Sequence, residues 1–229
     1  MSHPIFKMRA PAWSPDGTQI AFTYADRKGG VIRVDGHDRL RILSHSDNIN
    51  WRPVACTITG TSDRDHLVGT SGHDVLCGLG GNDVIAGRGG RDIITGGRGR
   101  HDAVSFAWAS AGIHMRVALS AGGQGPEFLS GIEDVVGSPS GDLIVGDSLV
   151  NVLRGGGGGD DIRGGDGNDV ARGGPGQDKI GGGSGLDRLY GQRGIDTLDA
   201  RDRHGGDLVD GGRGADTCLV NPGDRIIRC

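Results

Sequence analysis

From Gly155 to Asp199 the chain reads GGGGGDDIR, GGDGNDVAR, GGPGQDKIG, GGSGLDRLY, GQRGIDTLD, five consecutive nine-residue units. The sixth residue is always aspartate (Asp160, Asp169, Asp178, Asp187, Asp196), and the eighth is small or aliphatic (Ile162, Ala171, Ile180, Leu189, Leu198). A short fixed period of this kind points to a stacked architecture in which each unit touches its neighbours rather than one central core. A glycine or glycine pair opens each unit and lets the backbone bend sharply, because glycine accepts positive φ and close approach. The rest of the unit is a strand of about three residues, whose alternation turns the eighth side chain inward and its neighbours outward.

Turn, strand, turn, strand closes a flattened circuit of two units, so turns eighteen residues apart stack on the same edge. This register predicts Asp160 over Asp178, Asp169 over Asp187, and Asp178 over Asp196. Stacked carboxylates repel unless a cation lies between them, and carboxylates with turn carbonyls form the all-oxygen shell that Ca²⁺ prefers. One aliphatic side chain per nine ordered residues is too little burial to offset the conformational entropy. The chain is therefore expected to be largely disordered without calcium and folded with it. Composition agrees: the chain has 47 glycines, 4% aromatic residues, and 27 Asp against 2 Glu. Asp's short arm suits a tight turn around a metal, whereas an acidic face kept for solubility would mix the two acids.

The units match G-G-x-G-x-D-x-U-x, and the chain thereby resembles the calcium-binding nonapeptide repeats of RTX, or hemolysin-type, proteins. The resemblance implies an all-β fold, a parallel β-roll or β-solenoid, holding several calcium ions. An earlier array runs GTSDRDHLV, GTSGHDVLC, GLGGNDVIA, GRGGRDIIT from Gly60 to Thr95. It places Asp65, Asp74, Asp83 and Asp92 at position six and Leu67, Leu76, Ile85 and Ile94 at position eight. Its first unit has Asp63 where the fourth glycine belongs, as expected of a capping turn. In the next unit Asp102 arrives one residue late, which puts its pairing with Asp83 in doubt. Ser105 to Val136 has no repeat; Ile113, Met115, Val117 and Leu119 alternate with polar or small residues as in a half-buried strand. The sequence leaves open whether this stretch separates two coils or bulges from one. Repeats resume with GSPSGDLIV and GDSLVNVLR, which carry Asp142 and Asn151 at position six in weaker-looking turns. After Asp199 the register slips, although Asp207 and Asp216 again precede strand-like residues, and NPGDRIIRC is expected to fold back as a cap. The candidate ligands are Asp65, Asp74, Asp83, Asp92, Asp142, Asp160, Asp169, Asp178, Asp187 and Asp196.

Residues 10 to 53 are different in kind. APAWSPDGTQIAF, ADRKGG, VIRVDG and LRILSHSD read as strands joined by turns, with Pro15-Asp16-Gly17 a strong turn signal. This segment resembles one blade of a TolB-type β-propeller, and Trp51-Arg52-Pro53 looks like the opening of the next. A lone blade is too small for a secure core, so either the protein starts further upstream, with more blades and a signal peptide, which is the preferred expectation, or this segment is a degenerate remnant. The organisation is then a short antiparallel blade fragment at 1–55, a first array at 56–104, an excursion at 105–136, and a second array with its cap at 137–229.

Four cysteines allow three pairings. Cys56–Cys77 and Cys218–Cys229 are preferred because each would pin one end of the coil. Disulfides and weak calcium sites, in the range of about 10⁻⁴–10⁻³ M for extracellular modules, point to a secreted protein. The start MSHPIFKMRAPAW nevertheless has no apolar region of a signal peptide. A formal net charge of −4 argues against a nucleic-acid partner, and no apolar run is long enough to span a membrane. H-E-x-x-H, G-x-S-x-G, G-K-[ST] and EF-hand loops do not occur. The expected function is calcium binding by a secreted, bacterial-type protein without a catalytic centre. The alternatives are a calcium-stiffened adhesion or envelope-interaction protein, or the non-catalytic part of a larger secreted enzyme.

Overall fold

The computed structural model describes residues 9–13, 19–23, 29–35, 39–46, 55–90, 92–117, 128–203 and 205–229. The chain divides into two units, Met1–Cys56 and Thr57–Cys229. In the first, β1 (Arg9–Trp13), β2 (Gln19–Thr23), β3 (Gly29–Asp35) and β4 (Arg39–Ser46) form an antiparallel sheet in sequence order. Pro15-Asp16-Gly17 and Trp51-Arg52-Pro53 lie outside the described residues.

The second unit is a parallel β-solenoid. One face is a nine-stranded sheet of β6 (His66–Val68), β8 (Val84–Ala86), β10 (Ala103–Ser105), β13 (Asp134–Val136), β15 (Val152–Arg154), β17 (Val170–Pro175), β19 (Arg188–Arg193), β21 (Leu208–Arg213) and β23 (Arg225–Arg228). The opposite face is two sheets. The first contains β5 (Ile58–Thr59), β7 (Val75–Gly80), β9 (Ile93–Arg98) and β12 (Phe128–Ser130). The second contains β11 (His114–Arg116), β14 (Leu143–Val145), β16 (Asp161–Asp166), β18 (Lys179–Ser184), β20 (Thr197–Asp199) and β22 (Thr217–Leu219). Through the second array the register is the predicted eighteen residues, as in Ile162↔Ile180 and Ala171↔Leu189.

This topology answers the question of one coil or two. β10 pairs with both β8 and β13, so one face runs unbroken across the excursion. The other face breaks there because two strands fill the interval: β12 stacks on β9, while β11, earlier in sequence, lies under β14. The excursion thus inserts an extra strand on one side of a single coil. Its Ile113 and Met115 are buried and Val117 packs against the core, as the alternation predicts; Leu119 lies outside the described residues. The C-terminal segment departs from expectation. NPGDRIIRC does not fold back; β23 runs parallel to β21 as one further rung.

The core is a column of position-eight side chains. Leu76, Ile85, Ile94, Leu153, Ile162, Ala171, Leu189 and Leu198 are all fully buried, each aliphatic one contributing roughly 1.5–3 kcal/mol. In the regular turns the second and fourth residues have positive φ, for example Gly165 at 118° and Gly167 at 112°. Leu79, Arg88 and Gln192 stand at the second position with φ of 74°, 70° and 78°, a conformation that disfavours a Cβ. Leu79→Gly and Gln192→Gly are therefore expected to stabilise the loaded protein by about 0.5–1 kcal/mol each, after allowing for glycine's greater unfolded entropy. Thermal melting of the two variants checks this.

Cys218 and Cys229 are joined by a disulfide with Cα atoms 6.0 Å apart, and Cys56 and Cys77 are also disulfide-bonded. Among the described residues no helix is long and apolar enough to cross a membrane.

Candidate metal centre

The repeat aspartates form two ladders, one along each edge. On the edge leading into the nine-stranded sheet the ladder runs Asp65, Asp83, Asp102, Glu133, the neutral amide Asn151, then Asp169, Asp187, Asp207 and Asp224. The other edge carries Asp74 and Asp92, then, beyond the excursion, Asp142, Asp160, Asp178, Asp196 and Asp216. From Asp83 and Asp92 onward the carboxylates reach back one coil. Oδ1 of Asp83, Asp92, Asp160, Asp178 and Asp187 accepts the backbone N–H of Asp65, Asp74, Asp142, Asp160 and Asp169 at 2.8–2.9 Å. Asp196 accepts from Asp178 at 3.0 Å, and Asp169 from Asn151 at 2.9 Å.

The second carboxylate oxygen separates the aspartates. Oδ2 of Asp83, Asp92, Asp102, Asp160, Asp169, Asp178, Asp187, Asp196 and Asp207 is buried without a hydrogen-bond partner. Such an atom is costly unless something electropositive meets it. All but that of Asp207 lie against the glycine that opens their own turn. At Gly164 a Cβ would fall on both Asp169 Oδ2 and the Gly182 carbonyl of the next coil; at Gly191 it would fall on Asp196 Oδ2 and the Gly211 carbonyl. Only the absence of a side chain keeps this oxygen-lined space clear. Among the described residues no three His, Cys, Asp or Glu side chains gather into one cluster. A cation here would take one carboxylate with backbone carbonyls, a hard-oxygen set that suits Ca²⁺ and not zinc.

Seven of the ten sequence-marked aspartates have this unpartnered oxygen. The other three do not. Asp65 Oδ2 accepts from Thr61 N and Oγ1 at 2.6 and 2.9 Å, and Asp74 Oδ2 accepts from Thr70 N and Oγ1 at the same distances. Ser138 N donates to Asp142 Oδ2 at 2.6 Å and Ser138 Oγ to Oδ1 at 2.8 Å. The Thr70 backbone N–H accordingly holds the Asp74 carboxyl below its ordinary range. Asp161, the neighbour of Asp160, faces outward and pairs with Arg163 at 2.8 Å.

Besides Asp216 and Asp224, which accept from Asp196 N at 3.0 Å and Asp207 N at 3.2 Å, the structure adds three acids to the ladders. Asp102 does stack on Asp83, accepting its N–H at 2.8 Å across 19 residues, because the extra residue is absorbed in the turn. Glu133 fills the next rung, its Oε2 accepting from Asp102 N at 3.0 Å. Asp207 accepts from Asp187 N at 2.8 Å across 20 residues. Asp207 was visible as an acid before a strand; Glu133 carried no repeat signal.

Burial pushes the Asp160 and Asp169 carboxyls up to about 7, and those of Asp178 and Asp187 up to about 6, with same-edge carboxylates adding to the rise. Burial also raises Asp92, Asp102, Asp196 and Asp207. In the unfolded chain Asp160, Asp169, Asp178 and Asp187 lose their protons near pH 4, whereas in the metal-free fold they keep them to about pH 6–7. Protonation therefore favours the metal-free fold below about pH 4, and that contribution is lost as pH rises toward 7. A divalent cation must displace the same protons. Calcium affinity is expected to fall at least about tenfold between pH 7.5 and pH 5, with proton release on binding. Calorimetry in buffers of different ionisation enthalpy measures both.

A model of the RTX calcium-binding nonapeptide repeat (4 copies) matches residues 57–85, 68–100, 145–180, 154–189, 164–198 and 181–218. Together the matches span just over half of the chain. No curated protein matches it.

Proposed function

Because the chain belongs to the RTX calcium-binding nonapeptide repeat family, we propose that its coil binds several calcium ions and folds as it does so. The observation that carries this reading is the set of nine buried, unpartnered Oδ2 atoms, eight of them beside the glycine that opens their turn and, at Asp83, Asp102, Asp160, Asp169 and Asp196, beside a carbonyl of the next coil as well. The residues assigned to the ions are Asp83, Asp92, Asp160, Asp169, Asp178, Asp187 and Asp196, joined by Asp102 and Asp207. When bound, the ion supplies the positive charge that lets these carboxylates stay ionised in the wall of the coil. The chain does the rest: glycines hold the turn carbonyls close, Oδ1 ties each coil to the one before, and the aliphatic column excludes water from the interior.

A repeat-only solenoid of this family is typically non-catalytic, and the function assigned here involves no catalytic centre. Secretion fits the same chemistry. Calcium-poor surroundings leave the chain extended and exportable, calcium-rich surroundings fold it, and the disulfides suit an oxidising compartment. Titration with Ca²⁺ and with Mg²⁺ under calorimetry tests the reading. Several weak calcium sites, with Mg²⁺ a poor substitute because it demands a tighter octahedral shell, are expected. Equal binding of both ions, or of neither, would overturn it.

A further inference from the structure

The solenoid contains two kinds of turn, and their difference is covalently simple. In units with aspartate at position six, where position two is glycine, leucine, arginine or glutamine, positions two and four take positive φ, as at Gly156 and Gly158 or Gln192 and Gly194. Where position two carries a short side-chain oxygen, namely Thr61, Thr70, Ser138 and Asp147, neither position has positive φ. In those turns the position-two oxygen accepts the N–H of position four: Asp63 N to Thr61 Oγ1, Gly72 N to Thr70 Oγ1 and Ser140 N to Ser138 Oγ at 3.1 Å, and Leu149 N to Asp147 Oδ1 at 2.8 Å. The N–H of position two then donates to the position-six side chain, at 2.6 Å to Asp65, Asp74 and Asp142 and at 2.8 Å to Asn151 Oδ1. Such local side-chain hydrogen bonds compete directly with other backbone geometries. A non-glycine residue alone does not produce this geometry, since Leu79, Arg88 and Gln192 keep the positive-φ form.

The placement of these turns is as informative as their chemistry. The two at Thr61 and Thr70 open the first array, one on each edge, and the two at Ser138 and Asp147 open the second. The later repeat carboxylates reach back to a repeat turn of the preceding coil, whereas Asp74, Asp142 and Asn151 meet residues outside the repeats: Thr57 Oγ1 donates to Asp74 Oδ1 at 3.4 Å, Ile113 N to Asp142 Oδ1 at 2.8 Å, and Asn151 Nδ2 to the Glu133 carbonyl at 2.8 Å. We infer that the four oxygen-capped turns take no calcium and instead serve as metal-independent starts of the two arrays, with Thr61, Thr70 and Ser138 as their positioning residues. The calcium sites then begin one coil later on each edge, at Asp83 and Asp92 in the first array and at Asp160 and Asp169 in the second. This rests on the calcium reading given above for the remaining aspartates.

Two full-length variant sets test it. Native mass spectrometry at saturating calcium counts ions in wild type, in Asp65→Asn/Asp74→Asn/Asp142→Asn, and in Asp169→Asn/Asp178→Asn/Asp187→Asn. The first triple variant is expected to keep the wild-type ion count and the second to lose ions; a lower count in the first overturns the inference. Separately, Thr61→Val/Thr70→Val/Ser138→Ala removes only the hydroxyls. It is expected to keep the ion count and lower the melting temperature by roughly 5–10 °C, as for the loss of three caps. Unchanged melting overturns the positioning role. If wild type binds no calcium and folds in EDTA, the calcium reading fails, and melting of the hydroxyl variant still decides whether these residues act as caps.

Discussion

Chelating divalent ions with EDTA at pH 7.5 is expected to abolish the far-ultraviolet β signal of residues 57–229, and excess Ca²⁺ is expected to restore it. Nine buried carboxylate oxygens lack a partner in the chain, and each such atom costs about 1–3 kcal/mol. The sum matches or exceeds the roughly 5–15 kcal/mol by which a domain is ordinarily stable. The aliphatic column cannot compensate, since it supplies one side chain per half-coil and at one rung only Ala171. Mg²⁺ at the same concentration is expected to restore far less of the signal. Circular dichroism with chelation and back-titration reads the effect; a spectrum indifferent to EDTA at this pH would falsify the calcium-dependent fold. Acid offers an independent check, because protonation of Asp160, Asp169, Asp178 and Asp187 removes the same charge. The EDTA-treated chain should therefore recover structure as the pH is lowered toward 4.

Gly164→Ala is expected to be far more damaging than Gly181→Ala, although the two glycines lie on adjacent paired strands, β16 and β18. A Cβ on Gly164 would meet the Gly182 carbonyl and Asp169 Oδ2, and neither the backbone of a stacked coil nor a buried carboxylate can withdraw without breaking a rung. A Cβ on Gly181 meets nothing within 4 Å. Overpacking against backbone together with a lost ion site should cost Gly164→Ala about 3 kcal/mol or more. Gly181→Ala should be neutral or gain up to about 1 kcal/mol from a less flexible unfolded chain. Calcium-saturated melting and ion counts separate the two variants. Similar melting temperatures would show that the opening glycine is not there to clear space for oxygens.

Much of this was legible in the residues themselves. A period of nine with an aliphatic at position eight specifies inward and outward faces, and two units per circuit specify which aspartates stack. Where strict spacing held, from Asp160 to Asp196, the ladder follows directly. Where spacing slipped the fold still closed the ladder. Asp102 and Asp207 are recruited across 19 and 20 residues, since a turn can swallow an extra residue while the strands keep register. Glu133 could not have been picked out by period, because it reaches its rung from the far side of the excursion. The fate of Oδ2 was also hidden. It depends on whether position two carries a short side chain with an oxygen on its first branch, as in Thr61, Thr70 and Ser138, a detail that a consensus of glycines and aspartates treats as noise. Local propensity misled at the C-terminus, where Asn221-Pro222-Gly223 reads as a reversal. The turn there is instead closed by Asn221 N donating to Asp224 Oδ2 at 2.6 Å, and the strand carries on as another rung.

The uninterrupted hydrogen-bonded face from β6 to β23 has a mechanical consequence. Two arrays separated by an irregular stretch and not joined by strands would melt independently, each with its own midpoint. Here β10 and β13 splice them, so loosening one side strips partners from the other, and heating should yield a single cooperative transition in calorimetry instead of two resolved peaks.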